Sequence, residues 1–245
     1  MKITSFFIAT LKKFLKQGGM EITKIIIDNK SGYYVENPEA GAKNFSEKIS
    51  RKEMGGHFEW PNMVALNKAI ACFIGDAKKI VNIGSGTGTF EWFVSVDETL
   101  KLVASEYDSD CVKWCNDNRQ RENITYCSKN MNEIIQNYGT FDLAVSVDVI
   151  EHIKDFGGFL RNFSLLADRA IITTPNKTRN QKSLIAAPPQ YYQHVREWAP
   201  GELYWVLKVF YEEVTLYSMK DPFVPNAEKI GFHSGLSPLI AVCRK

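Results

Sequence analysis

Three stretches of this sequence hold residues whose types and spacing can do chemistry. The first is Gly84-Ser85-Gly86-Thr87-Gly88, set between the apolar run Ile80 to Ile83 and a second apolar pattern, Phe90, Trp92, Phe93 and Val94. Glycine reaches backbone angles closed to other residues and puts no side chain in a ligand's way. A helix that starts beside such a turn brings N–H groups without intrahelical partners. Strand, tight turn and helix in that order suit a nucleotide-type ligand. The second stretch is Glu106-Tyr107, with Glu106 22 residues beyond Gly84 (106 − 84). A carboxylate there can accept hydrogens from both hydroxyls of a ribose. The third is Asp148-Val149-Ile150-Glu151-His152, which follows the apolar run Phe141 to Val147. Its imidazole titrates near neutrality and so suits proton transfer. Further on, His194-Val195-Arg196-Glu197-Trp198 adds a second imidazole and a planar guanidinium that can bind a carboxylate or phosphate.

The glycine spacing is itself informative. A dinucleotide fingerprint reads G-x-G-x-x-G, and Thr89 stands where its last glycine would be. A nicotinamide cofactor is therefore disfavoured. Several neighbours admit two readings. Tyr107 either packs on a purine face or covers the sheet edge. The Asn130 amide either reads an adenine edge or forms a turn. His152 and His194 are either bases or packing residues, and Arg196 is either a substrate anchor or half of an ion pair with Glu197 or Glu202.

These residues need a frame, and the hydrophobic pattern supplies one. Strands are expected at 80–83, 102–105, 124–127, 141–147 and 170–174, with helices from Pro61, from about 89, after Asp108, over about 156–166 and from Pro200. Two last strands fall near 214–217 and 239–242. Strands alternating with helices give an α/β, doubly wound, mostly parallel sheet. Ligands in such sheets sit at the carboxyl ends of the strands, where all three stretches lie. Residues 61–245 form the expected main domain, and residues 1–60 an N-terminal extension that can act as a lid. Its Tyr33-Tyr34 pair is packing or recognition. The long linker 175–199 carries Tyr191 and Tyr192 as acceptor-side candidates.

Composition narrows the class. The chain has 245 residues, 44% hydrophobic and 24% charged, which is ordinary for a soluble globular protein. A formal net charge of +2 gives no overall sign of a nucleic-acid binder. The basic, amphipathic residues 1–19 are too short for a membrane span and lack a cleavage site, which leaves a weak surface contact or a packed helix, and Met20 is an alternative start. The five cysteines match no zinc spacing and read as buried or half-buried free thiols of a cytoplasmic protein, and no metal site is expected.

Taken together, Val81-Asn82-Ile83-Gly84-Ser85-Gly86-Thr87-Gly88, Glu106 and Phe141 to His152 resemble class I S-adenosylmethionine-dependent methyltransferases, over roughly residues 62–243. The nearest likeness is the small-molecule branch that includes ubiquinone-type enzymes. The resemblance implies a Rossmann-like, seven-stranded sheet, parallel except for one antiparallel strand near the C-terminus. It implies S-adenosylmethionine as cofactor and S-adenosylhomocysteine as product. Asn82, Gly84, Ser85, Gly86 and Gly88 would form the methionine-side loop. Glu106 would hold the ribose and Tyr107 flank the adenine. Asn130 and Met131 would lie along the adenine, and Ser146, Val147 and Asp148 would border the sulfonium. The family commonly has Asp where this chain has Asn130.

On that reading the chain transfers a methyl group to an O or N nucleophile of a small-molecule acceptor. The nucleic-acid signature Asn/Asp-Pro-Pro-Tyr is missing after the fourth core strand, and Thr174-Pro175-Asn176 after the fifth resembles small-molecule members. An RNA or protein methyltransferase and a nonenzymatic cofactor-binding scaffold are the competing readings.

Overall fold

The computed structural model describes residues 25–28, 32–35, 60–179, 189 and 193–245. Strands β1 (Ile25–Asp28) and β2 (Gly32–Val35) pair antiparallel, with Ile27 opposite Tyr33. The expected features at residues 1–19, at Tyr191 and Tyr192, and over most of the lid segment lie outside the described residues.

The main sheet comprises β3 (Lys79–Ile83), β4 (Lys101–Ser105), β5 (Ile124–Cys127), β6 (Leu143–Val147), β7 (Arg169–Thr174), β8 (Glu213–Met219), β9 (Ala227–Lys229) and β10 (Leu239–Arg244). Their spatial order is β5-β4-β3-β6-β7-β10-β8-β9. The five strands from β5 to β7 are parallel, and β10 lies antiparallel between β7 and β8. The sheet has eight strands where seven were expected. The extra one, β9, is a three-residue edge strand, Ala227-Glu228-Lys229, antiparallel to β8. It has no apolar alternation, which is why hydrophobic periodicity could not reveal it, and its charges suit an exposed edge.

Adjacent residues on each central strand divide the core. Val81, Val103, Ala144, Ile172 and Ala241 face one layer, and Ile80, Leu102, Leu143, Ile171 and Ile240 the other. This is the side-chain alternation of a strand buried on both faces. The first layer is closed by α4 (Met131–Tyr138), α5 (Phe156–Ser164) and α6 (Pro200–Leu207). The second is closed by α1 (Pro61–Ala71), α2 (Thr89–Val94) and α3 (Ser109–Asn118).

Local signals agree with the helix starts. Pro61 and Pro200 occupy first-turn positions, and Asp108 accepts the Asp110 N–H at 2.9 Å as an N-cap. Helix α4 was not expected. Its start is written as Asn130-x-x-Glu133: Asn130 Oδ1 accepts the Glu133 N–H at 3.0 Å and Glu133 Oε2 accepts the Asn130 N–H at 2.8 Å, a reciprocal capping box. All five cysteines are free. Cys111, Cys115 and Cys243 are buried and Cys127 is half-buried, but Cys72 is exposed, contrary to expectation, because it follows the last turn of α1.

The chain runs outward from β3 to β4 and β5, then returns to place β6 on the other side of β3. The crevice beyond the carboxyl ends of β3 and β6 is therefore the topological switch point.

Candidate active site

Gly84, Gly86 and Gly88 all adopt positive φ, at 77°, 52° and 71°. Their reasons for being glycine differ. A Cβ on Gly84 would lie 2.4 Å from Val149 Cγ2, and one on Gly88 would lie 2.7 Å from the Tyr126 hydroxyl. Internal packing excludes a side chain at both. A Cβ on Gly86 would meet nothing within 4 Å. Gly86 is thus the glycine whose missing side chain borders open space.

The N–H groups of this turn are largely used inside the protein. Gly84 and Ser85 donate to Ser105 O at 2.8 and 3.0 Å, and Gly88 donates to Ser85 O at 3.0 Å. Gly86 donates to Glu106 Oε2 at 2.8 Å. The other carboxylate oxygen, Oε1, accepts the Asp108 N–H at 3.1 Å. These bonds occupy the N–H groups of Gly84, Ser85, Gly86 and Gly88 and fasten the Glu106 carboxylate to the turn, while the expected N–H groups of the helix start belong to the residues from Thr89 onward. Burial raises the Glu106 pKa, while the N–H donors of Asp108 and Gly86 pull it back. Tyr107 beside it is 81% exposed, so its ring is available to a planar ligand.

Beneath the turn, Asn82 Nδ2 donates to Glu91 Oε1 at 2.7 Å, and both residues are buried. Asn82 Oδ1 and Glu91 Oε2 find no hydrogen-bond partner. Burial pushes the Glu91 carboxyl up to about 7. A proton on Oε2 can be donated to Asn82 Oδ1, which would satisfy both atoms as an amide–acid pair. Asn82 therefore sits under the loop, paired with Glu91 in the first turn of α2, a contact that sequence reasoning missed. The helical position of Glu91 hid it, because the partner lies nine residues upstream on a strand.

The remaining adenine-side residues divide. Asn130 spends its side-chain oxygen on capping α4, so the turn-forming reading describes that atom. Met131 is half-buried and packs against the core layer of α4. After β6, Ser146 is fully buried and donates to Ile83 O at 3.0 Å, tying the two strands that flank the crevice. Val147 is half-buried at the strand end.

Asp148 has φ 53° although it is not glycine. Such strain persists only where neighbours enforce it. Here Thr173 does so twice: its Oγ1 accepts the Asp148 N–H at 3.1 Å and donates to Asp148 Oδ1 at 2.7 Å. Burial raises the Asp148 pKa, with the Thr173 bond and the nearby His194 acting in opposition.

The chain next makes a short helical turn, Ile150–His152, that buries Glu151 and His152. Glu151 Oε2 accepts from Thr174 Oγ1 at 2.9 Å, while its backbone carbonyl accepts the N–H groups of Val195 and Arg196 at 2.8 and 3.1 Å. Those two bonds, with the Asn176–Trp198 bridge, draw the 193–198 segment over the turn. Consequently His152 and His194 meet edge to face, with ring centroids 5.0 Å apart. Burial, with Asp148 adding to it, holds the Glu151 carboxyl well above the usual carboxylate range. Burial likewise drives His152 down to about 4. Arg196, expected toward a substrate, is 1% exposed and lies against the Trp198 ring at 3.6 Å and near Phe156 at 4.9 Å, so it packs inside the fold.

With this geometry in view, a family model described as a methyltransferase domain matches residues 55–210, well over half of the chain. The chain belongs to that methyltransferase family. The enzyme uses S-adenosylmethionine as its methyl donor and releases S-adenosylhomocysteine. Its fold is shared by the methyltransferase domain of bacterial CtHen1 (19% identity, TM-score 0.55, 76% of this chain and 100% of that one). It is shared also by a Thermotoga maritima protein described as a possible histamine N-methyltransferase (16% identity, TM-score 0.55, 83% and 96%). A third is the plantazolicin methyltransferase BpumL in complex with S-adenosylhomocysteine (10% identity, TM-score 0.58, 82% and 98%). No curated protein sequence matches the chain. No described helix is long and apolar enough to cross a membrane.

The residues present fit the cofactor. Gly86 leaves room beside the turn, and Glu106 would offer a carboxylate to ribose hydroxyls. Bound there, the cofactor would supply an activated methyl group. This chain would supply position and exclude water.

Proposed function

We propose that the enzyme methylates an O or N nucleophile of a small-molecule acceptor. The observation that carries this reading is the burial of the polar groups beyond β6 and β7. Glu151, His152 and His194 are between 1% and 7% exposed, and they converge beside the half-buried Asp148. Convergent buried polar groups at the strand ends suit a small ligand that enters the fold. A polymer lying across a surface would meet a basic face, and the formal charge of +2 gives no overall sign of one. The likeness in fold to a protein described as a possible histamine N-methyltransferase and to the plantazolicin methyltransferase is in keeping with such an acceptor.

In this reading Glu106 holds the ribose, Tyr107 covers the adenine, and the strained Asp148 turn borders the methionine end. The acceptor then approaches from the side of His152 and His194. The buried His152, driven down to about 4, is a poor proton acceptor at neutral pH, because effective bases titrate near the working pH. We place the enzyme in the cytoplasm, consistent with its five free thiols.

The test is a panel of small hydroxyl- and amine-bearing acceptors, read by S-adenosylhomocysteine release. Turnover with at least one such acceptor is expected. Turnover only with RNA or protein substrates would replace this reading.

A further inference from the structure

We propose that Glu151, His152 and His194 form a binding site for one divalent first-row metal ion. One ligand atom from each residue lies within 4.8 Å of the other two, and all three residues are buried. Atoms sharing an ion at about 2.1 Å sit about 3–3.5 Å apart, so a modest inward movement of the side chains would complete the set.

The hydrogen bonds around the cluster fix the tautomers of its two histidines. His152 Nδ1 lies 3.1 Å from the Gln193 carbonyl oxygen, which can only accept, so Nδ1 carries the proton and Nε2 the lone pair. His194 Nδ1 lies 2.8 Å from Glu197 Oε1, and a carboxylate again fixes the same tautomer. Metal-binding histidines are typically held this way, one ring N–H on a carbonyl or carboxylate and the other nitrogen on the metal. Here one histidine has each kind of holder. Both sit on backbone that is itself fixed, since Val195 and Arg196 bond to Glu151 O.

The carboxylate gives an independent indication. Glu151 is 1% exposed, and its Oε1 has no hydrogen-bond partner, while Oε2 is occupied by Thr174. A buried carboxylate oxygen without a donor is costly unless a cation or donor faces it. Two imidazoles and one carboxylate suit manganese, iron, cobalt or zinc better than magnesium or calcium, which prefer all-oxygen sets. Three protein ligands leave coordination positions for water or for an acceptor oxygen. That last role rests on the methyl-transfer reading, and it favours a hydroxyl-bearing acceptor; the ion site itself does not depend on it.

Cobalt(II) is the probe. The full chain is stripped with chelator and titrated with cobalt, followed by visible absorption and calorimetry. One ion per chain is expected, with affinity lowered at least tenfold by Glu151→Gln and by His194→Ala. Glu197→Gln, which alters the holder of His194 and leaves all three ligands in place, should weaken binding about 10–100-fold. Circular dichroism on each variant separates site loss from unfolding. Absence of saturable cobalt binding, or binding unchanged in all folded variants, overturns the proposal. S-adenosylhomocysteine titrated into the stripped protein tests the other reading separately. Cofactor binding without cobalt binding defeats only the ion site, and cobalt binding without cofactor binding defeats only the methyl-transfer site.

Discussion

Glu106 Oε2 accepts the backbone N–H of Gly86 at 2.8 Å, so the acid after β4 is bonded directly to the glycine turn after β3. The two halves of the proposed cofactor site are one hydrogen-bonded unit. Glu106 would have two roles here: in the proposed site it presents a carboxylate to ribose hydroxyls, and it fixes the one glycine of this turn that borders open space.

The glycines should respond differently to alanine. Gly84→Ala places a Cβ 2.4 Å from Val149 Cγ2, and overpacking of that kind costs about 1–3 kcal/mol beyond the left-handed backbone strain. Gly86→Ala carries only the strain, about 1–2 kcal/mol. Thermal melts should therefore rank Gly84→Ala as the less stable variant, with Val149→Ala partly restoring it. Gly86→Ala should instead lose cofactor affinity, at least tenfold, while staying folded. Equal melting temperatures and equal affinities in the two variants would refute the division of roles.

Stability should fall as pH rises through the Glu91 range. The buried Glu91 carboxyl is raised from 4.5 to about 7. Between these values the folded state holds a proton that the unfolded chain has released, so unfolding free energy drops with increasing pH. The stabilisation is fully present below about 4.5 and gone above about 7, and this group alone amounts to about 3 kcal/mol. Urea unfolding of Glu91→Gln against the parent checks it. The variant should show a flatter profile from pH 5 to 8. Parallel profiles would mean that Glu91 is charged in the folded protein throughout.

Thr173 should matter more than its buried position suggests. Thr173→Val keeps the shape but removes both side-chain bonds to Asp148, leaving a strained turn held by the Thr173 carbonyl and a carboxyl short of a donor. A loss of about 1–3 kcal/mol is expected by denaturant unfolding. Weaker S-adenosylhomocysteine binding should accompany it, because Asp148 borders the proposed sulfonium position. Unchanged binding would place Asp148 outside the cofactor site.

How much could be read from the sequence depended on where each interaction lay along the chain. The β3 turn, Glu106 and the β6 ending were legible, since each is a local pattern at a strand end. So were most helix starts, through Pro61, Asp108 and Pro200. The edge strand β9 was not, because three residues carry no periodicity. Helix α4 was missed although Asn130-x-x-Glu133 announces a capping box. Long-range pairings were invisible: Gly84 against Val149, Asn82 against Glu91, Thr173 against Asp148. Nothing local marks Arg196 as interior, since its packing also needs the distant ring of Phe156. His152 and His194 were each singled out, but their meeting depends on backbone bonds from Val195 and Arg196 to Glu151.

The most direct test of the central claim is calorimetry of the intact chain with S-adenosylhomocysteine, the parent against Glu106→Ala. The parent should bind at roughly micromolar strength and show no heat with NAD. Glu106→Ala should weaken the cofactor by about 1–3 kcal/mol, since charge-assisted bonds to the ribose and the anchor on Gly86 are lost together. Tight NAD binding without S-adenosylhomocysteine binding, or equal affinity in the variant, would contradict the account.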